Sequence, residues 1–162
     1  MTKLEKKVKI NSLIGSLKAV SAEKGVNVYV VASHQGKSAL ELAESLGKEA
    51  KIIAITEFTY SDDLKKAMKK LNILPVEHVD LPIQDSKEMR ETLLMFGSGV
   101  KAALEVSLIA KSKGLVNEMF IAIAGSNKGL DTALLIDPVH PEAELISDQM
   151  KRILVKKIIL MP

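Results

Sequence analysis

Apolar positions along this chain follow two rhythms, short unbroken runs and longer stretches with an apolar residue every three or four places. The runs read as strands and the stretches as helices. Leu13, Leu17 and Val20 share one face of a helix predicted over 11–24, which Gly25 stops. Residues 26–32 are apolar almost throughout, as in a strand covered on both faces. Ala39, Leu40, Ala43 and Leu46 give a second helical face closed by Gly47, and 51–56 is a second buried strand. Ser61, Asp62 and Asp63 cap a third helix, with Lys65, Lys66, Lys69 and Lys70 further on, an order that suits the helix dipole. A shorter strand is predicted over 75–79.

Ser86 opens a helix carrying Met89, Leu93 and Phe96, which Gly97, Ser98 and Gly99 interrupt. A helix over 100–113 is apolar on most sides, and Gly114 ends it. The most apolar strand, 119–124, is expected at the centre of a sheet. The next strand, 132–136, follows after a loop too short for a crossover helix, so the two are expected to run antiparallel. Pro138 and Pro141 mark a turn, a short helix follows, and 155–161 is a candidate final edge strand.

This alternation predicts a doubly wound α/β fold, a three-layer α/β/α sandwich with right-handed crossovers, as a single domain over 1–162. Ligands of such sheets sit beyond the carboxyl ends of the strands, where the strand order reverses. With an order 3-2-1-4, the loops after Ala32 and Ala124 face each other across one crevice.

Composition narrows the function classes. The net charge of +3 is small and the lysines are scattered at helical spacing, which argues against nucleic acid. Two Tyr, three Phe and no Trp leave few stacking platforms for single strands. Without cysteine there are no disulfides, thiolate metal sites or thiol nucleophiles. The first residues lack the apolar run of a signal peptide, and no segment reaches the ~20 apolar residues that span a bilayer. A cytoplasmic protein with no membrane partner is expected.

Ser33, His34, Gln35, Gly36, Lys37 and Ser38 lie between a strand and a helix, and Gly36-Lys37-Ser38 matches the tail of a phosphate-binding P-loop. A full P-loop needs glycine where Val31 stands, inside the strand. The Mg²⁺-binding Asp of an NTPase is mimicked only by Asp137, on a strand expected to run the wrong way. NTPase activity is not expected. What remains is a helix-terminus anion site with free amides, two hydroxyls and a lysine. The same residues would equally serve as a cap with a surface lysine, and the stretch alone does not choose.

Gly125, Ser126, Asn127, Lys128, Gly129, Asp131 and Thr132 follow the central strand, where a plain turn would also explain Gly and Asn. Gly97, Ser98 and Gly99, with Lys101 one turn on, open a helix at the same predicted edge, or merely break one. Together the three loops form the candidate phosphate site. Phe58, Tyr60 and Phe96 are candidate ring contacts. His78 and His140 read as structural or exposed, and no catalytic constellation or metal-ligand cluster appears, so no metal is expected.

These loops carry a resemblance. VVASHQGKSALELAESLGKEAKIIAIT resembles the first βαβ unit of the C-terminal domain of pyruvate kinase, and FIAIAGSNKGLDTALLI resembles its later strand–loop–strand. The chain resembles small archaeal stand-alone proteins related to that domain more than the domain itself, through FGSGVKAALEVSLIAKSKG and the closing IILMP as well. The resemblance implies a mixed sheet of order 3-2-1-4-5 with strand five antiparallel. It also implies that Ser33, Gly36, Lys37, Ser38, Gly125, Gly129 and Thr132 hold the phosphate of an effector. No barrel or catalytic domain accompanies them, so it implies no pyruvate kinase activity.

The leading expectation is a protein that binds a phosphorylated small molecule, either flavin mononucleotide (FMN) or a similar nucleotide, or a sugar phosphate. The alternatives are a flavin-dependent enzyme and a structural or regulatory subunit without ligand. A homo-oligomeric state is left open.

Overall fold

In the computed structural model, which describes residues 2–126 and 129–162, thirteen segments of regular structure build one α/β sandwich. Helix α1 (Lys3–Lys24) leads into β1 (Val28–Ala32), α2 (Lys37–Leu46), β2 (Lys51–Ile55), α3 (Asp62–Lys70) and β3 (Ile73–Val76). Then come α4 (Lys87–Leu94), α5 (Ser98–Ser112), β4 (Phe120–Ser126), β5 (Gly129–Asp137), two single 3₁₀ turns and β6 (Leu154–Leu160). The sheet order is β3-β2-β1-β4-β5-β6. The first four of these are parallel, β5 is antiparallel to β4, and β6 is antiparallel to β5.

Residues of opposite parity along β1, β2, β4 and β5 feed two cores. Val31, Ile52, Ile121, Ile123 and Leu135 face Leu13 and Leu17 of α1, Leu42 of α2 and Met68 of α3. Val30, Ile53, Phe120, Ala122, Leu134 and Ile136 face Val100, Ala103, Val106 and Ile109 of α5. This is why the strands read as unbroken apolar runs: both faces are covered. The antiparallel β4–β5 pair follows the short connection, as its length predicts.

Several boundaries differ from the periodicity. Helix α1 starts at Lys3 instead of 11, because Thr2 and Glu5 form a capping box. Thr2 Oγ1 accepts from the Glu5 amide at 3.1 Å and the Thr2 amide donates to Glu5 Oε2 at 2.6 Å. The first turns bury almost nothing, so they carry no apolar stripe, yet they extend a helix already nucleated by its packed half. Strand β3 runs over Ile73–Val76 in place of 75–79, and Pro75 is tolerated because β3 is an edge strand. Helix α4 ends at Leu94 and leaves Phe96 half-exposed. Among the described residues no helix is long and apolar enough to cross a membrane.

Candidate functional site

The strand order reverses between β1 and β4, and a crevice of about 680 Å³ opens there. On the β1 side it is lined by Ala32, Ser33, His34, Gln35, Lys37, Ser38 and Glu41. On the other side stand Gly125, Ser126, Gly129 and Leu130, with Ala102 of α5, and α1 closes a third side with Lys6, Lys9 and Ile10.

The turn after β1 is held from below. The Ser33 amide donates to the Ile55 carbonyl at 3.1 Å, the Tyr60 hydroxyl to the Ser33 carbonyl at 2.6 Å, and Thr56 Oγ1 to the His34 carbonyl at 3.2 Å. Tyr60 is itself fixed, since its amide donates to Glu77 Oε2 at 2.8 Å and Lys65 lies 3.0 Å from Glu77 Oε1. Burial and then the Glu77 charge push the Tyr60 phenol up, so it stays a donor. Gly36 is the N-cap of α2, and no side chain caps that end. The residue Ser33 is only 5% exposed, and its hydroxyl has no hydrogen-bond partner among the described residues. Because no fully buried polar side-chain atom there is unpaired, that hydroxyl keeps its access through the crevice it lines.

Of the residues predicted for the site, Ser33, His34, Gln35, Lys37, Ser38, Gly125, Ser126 and Gly129 converge on the crevice. Gly36 does not line it. Its φ is 82°, and a Cβ there would lie 2.7 Å from Met68 Cε and 3.3 Å from Tyr60 Cδ1. It is glycine for the turn and the packing beneath it, and not for close approach of a ligand.

The α5 start is a correction. Gly97, Ser98, Gly99 and Lys101 do not line the crevice. Gly99 packs against β5, where a Cβ would come 2.9 Å from Thr132 Cβ and 3.0 Å from Asp131 Oδ1. A carboxylate thus stands against this helix start and opposes a second anion there. Lys101 turns to Gln84 Oε1 at 2.5 Å. Asp131 accepts from Ser126 Oγ at 2.8 Å and from Thr132 Oγ1 at 3.0 Å, and Thr132 is fully buried, so both brace the hairpin. Asn127 and Lys128 lie outside the described residues.

The aromatic contacts divide as well. Tyr60 is buried under the turn and offers no ring to a ligand. Phe58 stands against His34 with ring centroids 5.7 Å apart, and Phe96 is half-exposed; neither lines the crevice. Glu105 is buried in α5 and accepts from the Ile83 and Gln84 amides at 2.7 and 2.9 Å. Asp137 ends β5 at the opposite edge of the sheet, where it accepts from the Val139 amide at 2.9 Å. His78 pairs with Thr59 at 2.9 Å and His140 accepts from the Glu142 amide at 2.9 Å, both away from the crevice.

Lys6, Lys9, Ile10, Glu41, Ala102 and Leu130 were not predicted. The Thr2–Glu5 spacing is the one signal that would have carried α1 back far enough to bring its lysines in. Among the described residues no group of His, Asp or Glu is arranged to hold a metal ion. No model of a known protein family matches this chain.

Proposed function

We propose that the crevice binds a phosphorylated small molecule of nucleotide type, with its phosphate on the 33–38 turn. The observation that carries this reading is Ser33. Ser33 is a nearly buried residue whose hydroxyl opens onto the crevice, and with an uncapped helix start and the exposed Lys37 beside it the turn offers a donor set suited to an anion. The volume is of the size that encloses a small organic ligand.

Ala32, Ala102, Leu130 and Ile10 give the rest of the crevice an apolar lining suited to a flat ring. The hydroxyl partners a bare sugar phosphate would need are fewer, because Asp131 and Thr132 are engaged with the hairpin. A ring-bearing ligand such as FMN is therefore favoured over a sugar phosphate. The resemblance to the effector-binding domain of pyruvate kinase supports the same placement of the phosphate. No residue is assigned a catalytic role.

Titrating the protein into free FMN and following flavin fluorescence tests the proposal. Saturable quenching is expected, and Lys37→Ala should weaken it by about 1.5–3 kcal/mol, the scale of a hydrogen bond to a charged group. No change at high protein concentration removes the flavin. Absence of any stabilisation by sugar phosphates in a thermal shift assay would then remove the phosphate reading as well.

A further inference from the structure

Two of the three lysines that line the crevice stand outside the turn that receives the phosphate. Lys6 and Lys9 come from α1, Lys37 from α2, and the lining carboxylate is Glu41. None of the three ammonium groups is in an ion pair among the described residues. Lys37 opens α2, where the helix dipole disfavours a cation, and Lys6 and Lys9 lie in the first two turns of α1. Lys6 and Lys9 are three residues apart and so share a face, and that face is the one turned to the crevice. The first turns of α1 bury nothing that would explain them as core.

We infer that Lys6 and Lys9 form a second anion locus facing the Ser33–Ser38 turn, and that the occupant carries a chain of two or more phosphates. This rests on the phosphate reading of the turn. The first phosphate meets Ser33, Ser38 and Lys37, and the next extends toward α1, where two further lysines neutralise it. Glu41, four residues after Lys37, leaves the α2 side with less net positive charge and the α1 side with more. A nucleoside diphosphate then outbinds its monophosphate, and FMN probes only the ring and the first phosphate.

The test uses orthophosphate and tripolyphosphate as probes in calorimetric titrations of the full chain. The wild type is expected to bind tripolyphosphate at least about tenfold tighter than orthophosphate. Lys6→Gln/Lys9→Gln should bring that ratio to within about twofold while leaving orthophosphate affinity unchanged, since the turn is intact. Lys3→Gln/Lys7→Gln removes the same charge from the same helix at residues that do not line the crevice, and should keep the ratio. An unchanged ratio in the first variant, or an equal loss in the second, overturns the second locus and leaves the turn's reading standing. Failure of the wild type to bind either probe overturns both.

Discussion

Replacing Gly36 by Ala separates two accounts of that glycine. Its φ of 82° lies in the left-handed region, where an L-residue costs about 1–2 kcal/mol. The new Cβ would also sit 2.7 Å from Met68 Cε and 3.3 Å from the Tyr60 ring. Met68 is fully buried, so its methyl has little room to retreat, though a thioether adapts more readily than a branched side chain. Overpacking of this kind adds about 1–3 kcal/mol, here toward the lower end. The expected loss is about 2–4 kcal/mol, a fall in Tm of roughly 4–16 °C for a chain of this size. Equilibrium urea unfolding measures it, with an unchanged m value as the control for two-state behaviour. In a Met68→Ala background the closest contact disappears and only the 3.3 Å approach to Tyr60 remains, so the cost of Gly36→Ala should fall toward the backbone share of about 1–2 kcal/mol. A loss under about 1 kcal/mol in the wild-type background refutes the packing argument. So does a variant that loses ligand binding with its stability intact, because glycine would then serve the ligand and not the turn.

Two further changes probe the supports around the site. Tyr60→Phe removes the donor to the Ser33 carbonyl at 2.6 Å and should cost about 1–3 kcal/mol in urea unfolding, because that carbonyl is left without its buried partner; an unaltered midpoint would mean the turn is held by other contacts. Glu105→Gln keeps the shape but sets an amide NH₂ against one of two backbone donors, at a similar cost of about 1–3 kcal/mol. Burial is the main cause holding the Glu105 carboxyl above its ordinary value of 4.5. The folded state therefore holds this proton more tightly than the unfolded chain, and the group's contribution to stability falls as pH rises from below 4.5 through the folded pKa. Unfolding curves across that range should lose this downward component in the variant, and a retained slope would assign it elsewhere.

The apolar rhythm alone determined the layered α/β class, the succession of elements and the antiparallel β4–β5 pair. It could do so because β1, β2, β4 and β5 are covered on both faces, so their burial is written locally, and because connection length limits pairing direction. The turn at Ser33–Ser38 and the hairpin at Gly125 and Gly129 were legible for the same reason: small and hydroxyl residues directly after apolar strands. What each residue does there was decided by the tertiary structure. Tyr60 looks like a ring available to a ligand, but Ser33 and Glu77 come to it from elsewhere in the chain and fix it beneath the turn. Gly97–Gly99 looks like a third cradle, yet the packing of α5 on β5 sets Asp131 against it. Lys6 and Lys9 carry no apolar period, so nothing local reports that the sheet's order swings α1 over the crevice. Periodicity records what a segment buries. Which loops and helix ends meet depends on the order and packing of strands far apart in sequence, and that is information no single segment holds.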